Sequence, residues 1–198
     1  MPVSLRIARA DDAAEILSIY APYCNSTTVS FEAFAPSLEQ MSERISRIGA
    51  AYPWLVAEVD GRVVGYVYAS QHRERAGYRW AVDMAVYIGP NHHRRGLGRA
   101  LYTSLISILR SQGYYKAFAG ITLPNTSSVG LHESVGFLPV AVFKGVGHKS
   151  GKWLDVGWWR LELQPEVNSP PDPLPFKTIR NTSAVLAALA NGQRLVTQ

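Results

Sequence analysis

The segment "HHRRGLGRALY", residues 92–102, limits the possible folds of this chain more than any other feature. A β-rich run, "WAVDMAVYIG", precedes it, and apolar residues follow it at helical spacing. The segment therefore predicts a strand, a glycine-rich turn and the start of a helix. Unpaired N–H groups at a helix start attract anions, and glycine lets an anion approach the backbone. Arg94, Arg95 and Arg99 add positive charge, so the pattern favours a phosphate site.

Three further kinds of binding site contain closely spaced glycines or a basic segment. A P-loop needs Gly-Lys-Ser/Thr after its glycines, and the dinucleotide fingerprint needs a third glycine, which the segment lacks. A nucleic-acid surface would be broader, with aromatic residues interleaved. The net charge of +5 suits an anionic ligand and nucleic acid equally. A plain helix start with solvated arginines remains the simplest alternative.

The rest of the chain mixes helical patterns with several adjacent β-rich runs, which predicts an α+β fold around a mixed sheet. An Asp-Gly pair at 60–61 predicts a hairpin between two strands. An apolar helical face runs up to Pro22, and a second helix is expected from Ser37 to about Ile48. A short helix is expected between Asn125 and Gly136.

A length of 198 residues, 47% of them hydrophobic, suffices for one compact domain. We assign residues 1–164 to that domain and 165–198 to a proline-rich C-terminal tail, in which "SAVLAALA" could form one or two helical turns. One cysteine, Cys24, excludes an intramolecular disulfide framework and fits a cytoplasmic setting. We expect no signal peptide and no membrane span, since no apolar run is long enough.

The glycine segment resembles motif A of the GCN5-related N-acetyltransferase (GNAT) family. In that motif Gln/Arg-x-x-Gly-x-Gly/Ala follows a strand, and its backbone holds the pyrophosphate of acetyl-CoA; here His93 takes the first position. The stretch 125–137 resembles a second signature, Asn-x-x-Ala-x-x-x-Tyr-x-x-x-Gly-Phe, with Ser128 for Ala and His132 for Tyr. The resemblance implies the GNAT fold: a mixed, mostly antiparallel twisted sheet, flanked by helices, whose splayed central strands hold acetyl-CoA.

Residues 3–163 further resemble the phosphinothricin N-acetyltransferases and relatives that acetylate methionine sulfoximine and methionine sulfone. The similar stretches are "TTVSFE", "RERAGYRWAVDMAVYI", "GLGRALY", "LPNTSSVGLHESVGF" and "GHKSGKWLDVGWW". The resemblance implies direct acetyl transfer from acetyl-CoA to the α-amine of a small amino acid, within a ternary complex, by a homodimer. We expect no metal, because adjacent His92 and His93 rarely both reach one metal ion. We also expect no nucleic-acid or membrane partner.

The resemblance also implies roles for individual residues. Asp83 stands where the subfamily has a glutamate general base, and His132 is placed for proton exchange. The residues expected to contact acetyl-CoA are Val86, Tyr87, Ile88, Arg94, Arg95, Gly96, Leu97, Gly98, Arg99 and Asn125. The residues expected to contact the acceptor are Phe31, Arg73, Arg75, Tyr78, Asp83, Met84 and Ala85. A backbone N–H within 86–88 is expected to stabilise the oxyanion.

Each role has a structural alternative. Asp83 could be an alternating polar strand residue, His132 a hydrogen-bonded core histidine, and the loop arginines solvated surface charges. Two other functions stay open at this point. A protein N-terminal acetyltransferase would use the same cofactor site, and a non-catalytic acyl-CoA sensor would keep the glycine turn without proton-transfer groups.

Overall fold

The structure is a computed structural model that describes residues 3–196. Residues 1–2, at the start of the predicted domain, and residues 197–198, at the end of the predicted tail, lie outside the described residues. Seven strands form one sheet in the order β1-β2-β3-β4-β5-β7-β6. The strands are β1 (Val3–Ile7), β2 (Trp54–Val59), β3 (Arg62–Gln71), β4 (Ala81–Ile88), β5 (Lys116–Leu123), β6 (Leu138–Lys149) and β7 (Lys152–Glu162). The helices are α1 (Ala13–Ser26), α2 (Leu38–Ala51), α3 (Leu97–Gln112), α4 (Thr126–Ser134), α5 (Phe176–Ile179) and α6 (Ser183–Arg194).

The sheet is mixed and mostly antiparallel, because β4 and β5 pair in parallel and the other neighbouring strands pair antiparallel. Alternate side chains of each strand point to opposite faces. Leu55 and Val67 therefore enter a core built with α3 and α6, whereas Trp54 and Tyr66 enter a second core built with α1 and α2. The predicted α+β class, with helices flanking a mixed sheet, is confirmed.

Several turns follow directly from local sequence. Asp60 and Gly61 both have positive φ angles, +51° and +75°, as a tight hairpin turn requires. Ser37 caps α2, and its side chain accepts a hydrogen bond from the Gln40 N–H. Asn125 caps α4 in the same way through the Ser128 N–H, at 3.1 Å. These local signals correctly located the hairpin and both helix starts.

Helix α1 continues past Pro22 to Ser26, so the expectation that its apolar face ends at this proline was wrong. A proline inside a helix removes one hydrogen bond and costs about 3 kcal/mol. Burial opposes that cost here, because Tyr20 and Cys24 on either side of Pro22 are both packed in the second core. Tertiary packing therefore extends the helix by one turn.

The C-terminal segment packs against the same core as α3. Residues 165–175 contain no helix or strand, in keeping with the extended course expected for them. Helix α6 is longer than the one or two turns expected, and its Val185 and Ala188 are fully buried. The Ser104 hydroxyl of α3 donates to the Ala188 carbonyl at 3.0 Å. The division of the chain at residue 164 stays a prediction.

Within residues 3–196, no helix combines the length and the apolar character needed to cross a membrane.

Candidate active site

The two central strands, β4 and β5, separate after a short paired stretch. Their parallel register runs only from Ala81 opposite Lys116 to Asp83 opposite Phe118, while β4 stays paired with β3 up to Ile88. The Gly89 N–H donates to the Val64 carbonyl of β3. Because successive residues of a strand direct their N–H and C=O groups to opposite sides, those of Val86 and Ile88 point away from β3, towards β5. A gap therefore opens between β4 and β5 beyond Asp83.

The carbonyl of Ile88 marks the far end of this gap. It accepts hydrogen bonds from the Tyr23 hydroxyl at 2.8 Å and from Nε2 of His93 at 2.9 Å. His93, the residue that replaces Gln or Arg in motif A, thus ties the glycine turn to the end of β4. A carbonyl at this position would normally accept a hydrogen bond from a neighbouring strand, but here two side chains donate to it instead.

A cleft of about 500 Å³ lies beside the gap, between β4 and the starts of α3 and α4. Seven of the ten residues expected to contact acetyl-CoA line it: Val86, Ile88, Arg94, Gly96, Leu97, Gly98 and Asn125. The sequence interpretation did not assign a cofactor contact to Tyr23, Val29, His92, His93, Ser127, Ser128 or Leu131, which line it as well. Tyr23 and Val29 come from distant segments, so no local pattern could identify them.

The glycine turn has the geometry of an anion cradle. Gly96 and Arg94 both lie in the left-handed region, with φ of +77° and +59°. The first backbone bond of α3 runs from the Ala100 N–H to the Gly96 carbonyl, so the preceding N–H groups at residues 97–99 have no intrahelical acceptor. A Cβ on Gly98 would lie 2.8 Å from Leu131 Cδ2, so a larger residue at this position would require the Leu131 side chain of α4 to move. These features suit a pyrophosphate group.

Three of the expected acetyl-CoA contacts do not line the cleft with their side chains. Tyr87 points to the opposite face of the sheet, where it packs edge-on against Tyr20 and stacks on Tyr66. Arg95 and Arg99 are exposed beside the turn. Strand alternation also turns the N–H and C=O of Tyr87 towards β3, so polar backbone contacts from β4 are left to Val86 and Ile88. The two arginines contribute positive charge near the cleft.

Asp83 lies on the other face of β4 from Val82 and Met84, at the point where the gap begins. Its Oδ1 accepts a hydrogen bond from Nδ1 of His72 at 2.6 Å. The His72 ring stacks on Phe118 with centroids 4.4 Å apart. Burial raises the pKa of Asp83, and the hydrogen bond and charge of His72 partly oppose that rise. Asp83 is therefore a partly buried carboxylate with a fixed partner.

The sequence interpretation did not include His72. It follows the last residue of β3, and Ser70 of β3 pairs with Asp83, so the contact depends on the register of two strands. Knowledge of that antiparallel pairing would have indicated the contact; residue spacing alone does not. His72 also lies edge-on to Tyr78, with centroids 6.1 Å apart, which joins the Asp83 pair to the expected acceptor loop.

The other residues expected to contact the acceptor lie in different surroundings. Arg73 lies over the Trp158 ring at 5.6 Å, and Arg75 is exposed in the same loop. Phe31 packs directly on Gly147 of the β6–β7 hairpin. Ala85 shares the face of Asp83 by strand alternation.

The side chain of Met84 is 4% exposed and belongs to the core on the α3 side. Strand alternation points its side chain to the opposite face from Asp83, so a contact of Met84 with the acceptor would involve its backbone, and its place in the floor of the acceptor site stays a prediction.

His132 is a buried residue of the core, and the expectation that it exchanges protons is not supported by its surroundings. Its Nδ1 donates to the Ser128 carbonyl at 2.7 Å, and its Nε2 accepts from the Tyr102 hydroxyl at 2.7 Å. It is 4% exposed, and burial lowers its pKa. Both ring nitrogens are occupied and the ring is outside the cleft lining, so the alternative of a hydrogen-bonded core histidine describes it better.

Among the described residues, no three His, Cys, Asp or Glu side chains come together as a possible metal site.

The fold and the cleft define an acetyltransferase of the GNAT type. Residues 5–158 match the family model described as the acetyltransferase (GNAT) domain. This match covers well over half of the chain, and the chain therefore belongs to the GNAT acetyltransferase family.

Individual relatives show which members of the family this chain resembles. The chain is 38% identical over 173 residues to a phosphinothricin N-acetyltransferase from Streptomyces viridochromogenes, covering 87% of this chain and 93% of the relative. It is 34% identical over 168 residues to an L-methionine sulfoximine/L-methionine sulfone acetyltransferase from Salmonella typhimurium, covering 81% and 95%. A phosphinothricin acetyltransferase from Sinorhizobium meliloti, solved in complex with acetyl-CoA, superposes with a TM-score of 0.80 at 34% identity, covering 88% and 98%.

Proposed function

We propose that this chain is an acetyl-CoA-dependent N-acetyltransferase. It transfers acetyl directly, in a ternary complex, to the α-amine of a small amino acid of the phosphinothricin, methionine sulfoximine or methionine sulfone type. The observation that carries this proposal is the gap between β4 and β5 beyond Asp83. It joins the cleft at the glycine turn, on one face of the sheet, to a carboxylate on the other. The acceptors named for the relatives support the choice of substrate class.

The cleft residues fit acetyl-CoA. The N–H groups at residues 97–99 and the Arg94 side chain would hold the pyrophosphate, and Asn125 and the edge of β4 would contact the pantetheine arm. When bound, acetyl-CoA supplies the acetyl thioester. The N–H of Val86 faces the gap and is a donor for an oxygen that gains negative charge there.

Asp83 is the proposed general base. The α-ammonium group of the acceptor must lose a proton before it can attack, and a carboxylate Oδ of Asp83 accepts that proton directly or through a water. Burial raises the pKa of Asp83, which makes the carboxylate a stronger base than an exposed aspartate. His72 fixes its orientation through the 2.6 Å bond. His132 has no role in this proposal.

The acceptor carboxylate is assigned to Arg73 and Arg75, with Tyr78 beside them. Guanidinium groups bind carboxylates in a bidentate manner, and both arginines lie exposed in the loop that follows His72. Arg73 is held in place by its contact with Trp158. This arrangement would present the α-amine to Asp83.

We also propose a homodimer, formed through one edge of the sheet. Strand β6 is one of the two edge strands, and it exposes Leu138, Val140, Val142 and Phe143, each by 46% or more. A contiguous exposed apolar strand is typical of an association surface. We expect the enzyme to act in the cytoplasm, where its single buried thiol, Cys24, remains reduced.

The test is release of free thiol from acetyl-CoA with L-phosphinothricin, L-methionine sulfoximine, L-methionine sulfone and a short peptide as acceptors. The proposal expects turnover with at least one free amino acid and little with the peptide. Turnover with the peptide alone would establish a protein N-terminal acetyltransferase instead. Tight acetyl-CoA binding without turnover on any acceptor would favour the sensor.

A further inference from the structure

A second cavity, of about 270 Å³, lies on the face of the sheet that carries Asp83. It is formed between α1, α2 and strands β2 and β3. Its polar lining consists of hydrogen-bond donors of the guanidinium, phenol and indole types: Arg44, Arg47, Tyr20, Tyr66, Tyr68 and Trp54. Phenols can also accept, but the guanidinium and indole groups only donate. This composition suits an anion.

Trp54 supplies the observation that points to a ligand. It is 3% exposed, it lines the cavity, and its Nε1 has no hydrogen-bond partner among the described residues. A buried N–H without an acceptor is unfavourable and uncommon in native proteins. An anionic oxygen in the cavity would satisfy it.

One of the two arginines that line the cavity is free to bind an anion. Arg44 is paired with Glu32 through Nη1 and Oε1 at 2.6 Å, so its charge is already balanced. Arg47 follows Arg44 by three residues on the same face of α2 and is exposed, and no partner for its guanidinium is found among residues 3–196. The net charge at the mouth of the cavity is therefore positive.

The cavity is close to the proposed base. Tyr68 of β3 pairs with Ala85, and Ser70 pairs with Asp83, so Tyr68 and Asp83 are diagonal neighbours on one face. Such neighbours have Cα atoms roughly 7–8 Å apart. This spacing brings the Tyr68 wall of the cavity next to Asp83, and Trp54 of β2 lies one strand further on, paired with Tyr68. An acceptor whose amine lies at Asp83 would therefore extend its side chain past Tyr68 into the cavity.

We propose that this cavity binds the distal anionic group of the acceptor, a phosphinate or a second carboxylate, with Arg47 and the Trp54 N–H as donors. The inference rests on the proposed function and adds a specificity site to it. The α-carboxylate would be held on one side of Asp83 by Arg73 and Arg75, and the distal anion on the other side by Arg47. The site would favour glutamate-like acceptors over those with a neutral end.

The experiment compares two acceptors that share an α-carboxylate but differ at the distal end. L-Phosphinothricin carries an anion there, and L-methionine sulfone is neutral. Arg47→Gln should raise KM for phosphinothricin about tenfold, the equivalent of one charge-assisted hydrogen bond, and change KM for methionine sulfone by less than about twofold. Arg47→Lys should recover part of the loss. Arg62→Gln, at an exposed arginine of β3 outside this cavity, is the matched control.

Equal changes in KM for the two acceptors, or no change for either, would overturn the inference while leaving the proposed function intact. Absence of wild-type turnover with every free amino acid would overturn the proposed function and this inference with it. Inhibition by inorganic phosphate tests whether the cavity binds the distal group of the acceptor or an anion unrelated to the acceptor. With acetyl-CoA at saturation, so that the cradle at the glycine turn is filled, phosphate should inhibit turnover of phosphinothricin more than turnover of methionine sulfone. Equal inhibition with both acceptors would contradict the inference.

Discussion

Nδ1 of His72 lies 2.6 Å from Oδ1 of Asp83, at the point where strands β4 and β5 separate. The stack of His72 on Phe118 fixes the imidazole, and the imidazole in turn fixes the carboxylate. Burial raises the pKa of Asp83, and His72 works against that rise. The pair therefore sets both the orientation and the protonation state of the proposed base.

His72→Phe should retain the aromatic stack on Phe118 and remove the hydrogen bond. Because His72 lowers the pKa of Asp83, the pKa should rise in the variant, and Asp83 should stay protonated to a higher pH. The acidic limb of the pH profile of kcat/KM should therefore shift upward. His148→Phe, at an exposed histidine that packs on Trp153, is the control. A shift to lower pH, or none, would show that His72 does not tune this carboxylate.

Gly96→Ala should weaken acetyl-CoA binding. Gly96 has a φ of +77°, which costs an alanine about 1–2 kcal/mol, and the turn would relax away from the geometry that directs its N–H groups into the cleft. KM for acetyl-CoA should rise several-fold. Gly49→Ala, in open space within α2, should leave that KM unchanged. If both substitutions had the same effect on KM, the cradle assigned to Gly96 would be wrong.

His132→Gln should affect stability more than catalysis. The imidazole joins the Ser128 carbonyl to the Tyr102 hydroxyl inside the core, so its loss should cost about 1–3 kcal/mol of unfolding free energy. At a temperature where the variant is folded, kcat should stay within a few-fold of wild type. A large fall in kcat without a change in thermal stability would restore the catalytic role that the second signature implied.

The pH dependence of stability gives an independent check on His132. Burial lowers its pKa below the ordinary value of 6.5. The stability linked to this group is therefore fully present above pH 6.5 and decreases as pH falls towards the lowered pKa, because the unfolded chain binds a proton first. Wild type should lose stability over that interval, and His132→Gln should lose less. Parallel curves would contradict this assignment.

Val185→Ala should destabilise the whole domain. Val185 of α6 is 0% exposed and packs in the core of α3. Its truncation should lower the free energy of unfolding by about 2 kcal/mol in a single cooperative transition. Leu186→Ala, at the neighbouring residue that is 61% exposed, should change it by less than about 0.5 kcal/mol. A separate, early transition for the C-terminal helices would show that residues 165–198 form a true tail.

The predictable parts of this fold are those that local chemistry determines. The Asp60-Gly61 turn needs two residues that tolerate positive φ, and Asn125 caps a helix through its own side chain, so each can be read from a few adjacent residues. Helix α1 beyond Pro22 and the length of α6 depend on burial against distant elements. Burial of that kind leaves little trace in the local pattern.

In the site, too, local motifs could be predicted from the sequence and long-range contacts could not. The glycine turn is a local motif, and the cleft is lined by most of the residues expected there. His72 reaches Asp83 only through the register of β3 and β4, and Met84 faces away from Asp83 because strand side chains alternate. The position of His132 in the second signature does not reveal that Tyr102 and Ser128 occupy both of its nitrogens.

The most direct test of the account is turnover of acetyl-CoA with the best free amino acid acceptor, measured for wild type and Asp83→Asn. The amide keeps the size of the carboxylate but cannot accept the ammonium proton. We predict a fall in kcat of about 100-fold or more with acetyl-CoA affinity unchanged. An Asp83→Asn enzyme that turns over like wild type would contradict the central claim that this carboxylate, at the opening between β4 and β5, is the base.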